Sequence, residues 1–108
     1  MGNCESLYTT DGELSDEIIE LFNSVKSQIE KGIDNGWLEN RNLMYIKDIE
    51  YMYAEEGRFK PAGDGVDTII YYVQENESRA PTEHETRELM AQLGRLQSML
   101  HNKSEYYK

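Results

Sequence analysis

The chain lacks several features that mark large classes of protein. Its 108 residues include one cysteine, Cys4, so no internal disulfide forms and a reducing compartment is expected. No apolar run approaches the roughly 18 residues that a membrane span needs, and the first residues lack the basic and apolar regions of a secretory signal. We therefore expect a cytoplasmic protein with no membrane-spanning segment.

Basic residues are also few. Lysine and arginine number 11 against 21 aspartates and glutamates, which gives a formal charge of −10 at pH 7. Because nucleic acid is bound through cationic side chains that release its counterions, direct binding of DNA or RNA is not expected. The negative charge has two interpretations: a solvated surface, or a field that attracts a basic protein partner.

No set of side chains suggests a catalytic or metal site. His84 and His101 are far apart on the last predicted helix, and residues 63–67 match only a fragment of a calcium-binding loop. A glycine motif for phosphate binding is missing as well. The sequence predicts a protein that is not an enzyme and needs no cofactor and no metal.

What the chain does have is enough apolar surface for one core. Hydrophobic residues make up 38% of it, with eight tyrosines, five methionines and one tryptophan, and this exceeds what disordered chains carry. One domain is expected at this length. We assign residues 1–13 to an acidic tail, residues 14–102 to a helical bundle and residues 103–108 to a frayed tail.

Apolar residues recur at helical spacing in three segments. Ser15 is placed to cap the first helix, and residues 34–36 have the composition of the turn that ends it. Thr82 and Glu85 form a capping box for the last helix, in which Gly94 suggests a close helix contact. The predicted core stripes are Ile18, Phe22, Val25, Ile29 and Ile33 in the first helix, Leu43, Ile46, Ile49 and Tyr53 in the second, and Leu89, Leu93, Leu96 and Leu100 in the last.

The segment before the last helix has a different composition. Three glycines and Pro61 lie within residues 57–65, which predicts no long regular element there. Residues 69–73 have strand propensity, but no second alternating run exists to pair with them, so a short helical turn with Ile69 or Ile70 inward is favoured. The expected fold is all-α: a small antiparallel bundle of three long helices and one short helical turn.

The second predicted helix has an outward face of mixed composition. Opposite its core stripe lie Met44, Asp48, Tyr51 and Glu55. Methionine and aromatic side chains within a polar rim are typical of protein interfaces, so these four residues are candidates for binding a partner. Single exposed apolar side chains are also ordinary on surfaces, and that interpretation stays open.

The first six residues, Met-Gly-Asn-Cys-Glu-Ser, fit a lipidation pattern. Gly2 would carry an acyl chain and Cys4 a second lipid. The residues that follow are acidic, whereas anionic membranes favour lysine and arginine. An N-terminally acylated membrane adaptor is therefore an alternative function, and the main interpretation involves no membrane.

Residues 64–72, Asp-Gly-Val-Asp-Thr-Ile-Ile-Tyr-Tyr, resemble the short third helix of the immunity proteins that protect bacteria from their own DNase colicins and pyocins. A polar loop and a proline that opens the last helix follow in the family's order. The resemblance implies a small, acidic, non-enzymatic bacteriocin immunity protein that binds a basic nuclease domain and keeps DNA out. It also implies that Asp67, Tyr71 and Tyr72 form a shared anchor, while the outward face of the second helix selects the partner.

A related alternative keeps this chemistry without the family. A phage-type antagonist would use the acidic surface as a mimic of DNA, in the nucleic-acid groove of a host defence enzyme. Both interpretations require a basic protein as the partner and involve no direct contact with nucleic acid.

Overall fold

Four α-helices and one short 3₁₀ helix make up the described part of the protein. A computed structural model describes residues 16–106. The helices are α1 (Asp16–Asp34), α2 (Asn40–Ala54), α3 (Phe59–Glu75) and α4 (Glu83–Tyr106), and the 3₁₀ helix η1 (Glu77–Arg79) lies between α3 and α4. Residues 16–106 contain no strand, so the all-α class is confirmed for that range. None of these helices has the length and apolar character needed to cross a membrane.

The core is built from one apolar stripe on each helix. α3 packs against α2 and α4, and α1 packs against the same two helices. Trp37, after the end of α1, and Tyr53 of α2 are the largest fully buried side chains. The predicted stripes are buried, except that Ile33 and Leu43 are only partly buried, and α3 adds Phe59, Ala62, Val66, Ile69 and Val73.

The turn after α1 ends the helix as its composition predicts. Gly36 has φ 86°, in the left-handed region that favours glycine. The N–H of Trp37 donates to the carbonyl of Gly32 and the N–H of Gly36 to that of Ile33, each at 3.0 Å, and these are the two bonds of a Schellman motif. Ser15, the predicted cap of α1, lies outside the described residues.

The segment predicted to be irregular forms a full helix, α3. Pro61 is the third residue of this helix, where a backbone N–H has no partner within the helix in any case. The N–H of the next residue, Ala62, donates to the carbonyl of Arg58 at 3.2 Å. The proline therefore removes no bond from the helix. The prediction of a short helical turn was wrong because it counted proline and glycine as helix breakers wherever they lie.

Two glycines of α3 serve close packing between helices. Gly63 lies against the imidazole of His101 in α4, and a Cβ built on Gly63 would be 2.9 Å from the ring Cε1. Gly65 faces Ile49 of α2, whose Cγ1 would be 2.7 Å from such a Cβ. Glycine costs about 1 kcal/mol relative to alanine inside a helix. Here that cost is offset because the missing side chains let α3 approach both neighbours.

α4 begins as predicted but differs from its prediction at two places. The N–H of Glu85 donates to Oγ1 of Thr82 at 3.2 Å, which confirms the cap. The helix continues to Tyr106, through residues expected to fray, and Ser104 is buried near its end. A Cβ built on Gly94 would have no neighbour within 4 Å, so the expected close contact at this glycine was wrong.

Two glycine replacements test this description of the packing. Gly94→Ala should stabilise the protein by about 0.5–1 kcal/mol, because alanine is the better helix former and its methyl group enters open space. Gly32→Ala should destabilise it by about 1–3 kcal/mol, because the methyl group would lie 2.8 Å from the buried Leu38 Cγ. Denaturant unfolding of both variants measures the difference. Equal changes in the free energy of unfolding would contradict the packing.

Candidate partner-binding surface

The outward face of α2 is exposed, as the sequence predicts. Met44 is 64% and Tyr51 58% exposed, and Asp48 and Glu55 are also exposed. The helix turns by about 100° per residue, so burial of the stripe that ends in Tyr53 leaves these four residues on the opposite side. All four are accessible to another molecule.

Tyr72 is half-buried between α2 and α3. Its ring stacks on Tyr45 of α2, with centroids 5.8 Å apart and planes inclined by 21°. The guanidinium carbon of Arg41 lies 4.0 Å from the centre of the Tyr72 ring, which is cation–π distance. Arg41 also pairs with Glu39, at 2.8 Å from Nε to Oε1. Tyr72 therefore joins the two helices as well as contributing to the surface.

Tyr71 is the exposed neighbour of Tyr72. It is 57% exposed, and the two ring centroids are 5.9 Å apart. A hydrogen bond to the side chain of Glu75, and the negative charge of that side chain, raise the pKa of Tyr71 above its usual 10.0. The neutral phenol donates to the carboxylate, whereas a phenolate would face it with a like charge. Glu75 therefore favours the neutral form of the Tyr71 phenol.

Asp67 contacts a different helix from the one that Tyr72 contacts. One of its carboxylate oxygens accepts a hydrogen bond from Nε2 of Gln97, and the other is 3.6 Å from Nε2 of His101. Gln97 and His101 both belong to α4, whereas Tyr72 contacts α2. Asp67 therefore lies on the flank of α3 that faces α4 and Tyr72 on the flank that faces α2, with Tyr71, one helical turn after Asp67, between them.

Arg41 and Tyr45 lie at this surface but were not among the predicted site residues. They are one helical turn apart on the flank of α2 that faces α3, and Tyr45 is 39% exposed. Their spacing is visible in the sequence, but only the position of α3 shows that both meet Tyr72. We call the resulting surface the tyrosine face; it comprises Arg41, Met44, Tyr45, Asp48, Tyr51, Glu55, Tyr71, Tyr72 and Glu75.

Carboxylates without a cationic partner accompany the rings of the tyrosine face. Asp48, Glu55 and Glu75 make no ion pair with any residue in the range 16–106. Elsewhere on α2, Glu50 is paired with Lys26 of α1 at 2.7 Å. The three unpaired carboxylates are available to cations of another molecule.

The remaining predicted sites lie elsewhere. Gly2 and Cys4, the two lipidation candidates, and the acidic tail over residues 1–13 are outside the described residues. His84 is exposed, whereas His101 is half-buried against Gly63.

Comparison with known proteins supplies no family for the chain. No protein-family model matches it, and neither the curated proteins nor the solved structures give a match. The resemblance of residues 64–72 to nuclease immunity proteins is neither supported nor contradicted by these comparisons.

The contact between Tyr71 and Glu75 gives a prediction about titration. Glu75→Gln should lower the pKa of Tyr71 toward 10.0, because it removes the charge that disfavours the phenolate. NMR titration of tyrosine rings labelled with ¹³C measures this pKa, with Tyr71→Phe identifying the signal. Glu77→Gln in η1 makes the same change of charge and should leave the signal where it is. A Tyr71 pKa that does not respond to Glu75→Gln would contradict the contact.

Proposed function

We propose that this protein is a non-enzymatic acidic inhibitor of the immunity type, which binds a basic nuclease through the tyrosine face and blocks its access to nucleic acid. The grouping of exposed apolar side chains carries the proposal. Among residues 16–106 the exposed large hydrophobic side chains are Met44, Tyr45, Tyr51 and Tyr71, and all four lie on α2 and α3, which pack together. Aromatic and methionine side chains grouped in this way are typical of the centre of an interface.

The charge of the tyrosine face favours a basic partner. Asp48, Glu55 and Glu75 would pair with lysines and arginines that otherwise hold the phosphates of DNA. The excess of negative charge over the whole chain would then repel DNA from the complex. In this proposal the tyrosine face pairs with the cationic groups of the nuclease, while the net negative charge of the whole chain repels DNA.

The support beneath the tyrosine face favours tight binding. Tyr72 is held in place by its stack on Tyr45 and by the guanidinium of Arg41. Side chains that are ordered before binding lose less entropy in the complex.

We also propose that neighbouring helices run antiparallel, as the sequence predicts. The short connections at residues 35–39 and 55–58 favour this arrangement.

Capture of the partner and a nuclease assay test the proposal. The chain, immobilised, should retain a basic protein from a lysate of its source organism, and mass spectrometry identifies that protein. The purified partner should cleave DNA, and one equivalent of the chain should stop the cleavage. A partner without nuclease activity, or cleavage that continues with the chain bound in excess, would show that the proposed function is wrong.

Truncation of exposed rings tests which surface binds. Tyr71→Ala and Tyr51→Ala should each weaken inhibition by about thirtyfold, the equivalent of about 2 kcal/mol, if their rings are buried at the centre of the interface. Thermal stability should change little because both side chains are exposed. His84→Ala removes an exposed ring on α4 and should leave inhibition unchanged. Equal inhibition by the wild-type protein and the three variants would show that the tyrosine face does not bind the partner.

The contribution of charge is tested through association rates. The rate should fall steeply as ionic strength rises from about 0.01 M to 0.15 M, whereas dissociation should change less. The double variant Asp48→Asn, Glu55→Gln should slow association more than Glu20→Gln, Glu30→Gln, which removes the same charge from exposed positions on α1. Stopped-flow mixing measures the association rate of each double variant. Equal slowing would mean that net charge, and not the tyrosine face, governs encounter.

A further inference from the structure

Two carboxylates and one imidazole meet where α3 packs on α4. Asp64, Asp67 and His101 each offer a ligand atom within 4.8 Å of the other two. The aspartates are three residues apart on α3 and therefore neighbours on its surface, while His101 reaches them from α4. We propose that these three side chains bind one Zn²⁺ ion. This site is independent of the proposed function.

The distance between Asp67 and His101 suits a shared metal ion. Oδ2 of Asp67 and Nε2 of His101 are 3.6 Å apart, which is too long for a direct hydrogen bond. Two ligands of a tetrahedral zinc, each about 2.1 Å from the metal, lie about 3.4 Å apart. An ion between these two atoms therefore requires little movement of either side chain.

Packing orients His101, and a hydrogen bond orients Asp67. The His101 ring lies against Gly63, where a Cβ would be 2.9 Å from Cε1 and 3.0 Å from Nδ1. Any side chain at residue 63 would displace the ring, so this glycine allows the imidazole to lie beside Asp67. Nε2 of Gln97 donates to Oδ1 of Asp67 and leaves Oδ2 free for the metal. Outer hydrogen bonds of this kind commonly orient metal ligands.

Asp64 is available as the third ligand at small cost. Nζ of Lys60 donates to its two oxygens at 3.1 and 2.9 Å. Both side chains of this pair are more than half exposed, and exposed ion pairs contribute little to stability. The metal ion can therefore replace the ammonium group of Lys60, with water as the fourth ligand.

The types of ligand atom favour zinc over the hard cations. Ca²⁺ takes six to eight oxygens, and Mg²⁺ keeps several waters and near-ideal octahedral geometry. One imidazole nitrogen with two carboxylate oxygens suits Zn²⁺. Because the ligands come from two helices, the bound ion would join α3 to α4 and stabilise the fold.

Zinc titration of matched variants tests the site. All proteins carry Cys4→Ser, so that the thiol does not bind the metal. Isothermal titration calorimetry should show one Zn²⁺ per chain, and saturating Zn²⁺ should raise the melting temperature by about 5 °C or more, reversibly with EDTA. Asp67→Asn and His101→Gln should each lower the affinity at least about tenfold. His84→Gln is the control, since His84 lies 3.9 Å from Glu88 but has no third ligand beside it among the described residues.

Asp64→Asn keeps the test decisive if a change at His101 disturbs the core. Asp64 is exposed, so this variant should fold normally, as circular dichroism would verify. It should still lose affinity for Zn²⁺, and the visible absorption of the tetrahedral Co²⁺ complex should be lost with it. The proposal is overturned if the wild-type chain shows no zinc-dependent rise in melting temperature. Equal affinity in the site variants and in His84→Gln would overturn it too.

Discussion

α3 packs unusually close to both α2 and α4, and this packing determines which other side chains meet. Gly65 admits the side chain of Ile49 on one flank, and Gly63 admits the ring of His101 on the other. The first contact aligns α2 and α3 along the tyrosine face. The second brings the imidazole of α4 beside Asp67. The tyrosine face and the proposed zinc site therefore both depend on the packing of α3. Each depends on a glycine of α3, Gly65 or Gly63, that leaves room for a side chain of the neighbouring helix.

Much of the fold could be predicted because three helices show their buried side in their own sequence. The leucines of α4, for example, recur every three or four residues and are all fully buried. α3 could not be predicted in the same way, because the reasons for its glycines lie in other helices. Gly63 is explained by His101, which is distant in the chain, and Pro61 is harmless only because of where α3 starts. Local propensity predicts a break there, and tertiary packing overrides it.

The candidate site was predictable to a similar degree. Exposure of Met44 and Tyr51 follows from the stripe of α2, since burial of one side of a helix determines which side is exposed. The stack of Tyr45 on Tyr72 depends on how α2 and α3 pair, which no local pattern contains. The separation of Asp67 from Tyr72 could have been foreseen, since five residues of α-helix turn by about 500° and place the two on different flanks. The resemblance to immunity proteins grouped them by sequence alone.

The acidic composition is not explained by stability. The ion pairs within residues 16–106, such as that between Arg95 and Glu17 at 2.5 Å, join exposed or partly exposed side chains. Exposed pairs contribute at most about 1 kcal/mol each, and a large net charge opposes compaction through self-repulsion. Solubility could be served by acids at any exposed position. Asp48, Glu55 and Glu75 instead lie beside exposed rings and make no ion pair with the described residues. Exposure of those rings to water costs free energy. A basic partner that covered the rings would remove this cost and would pair with the carboxylates. The proposed recognition of a basic partner would account for the rings and the charges together.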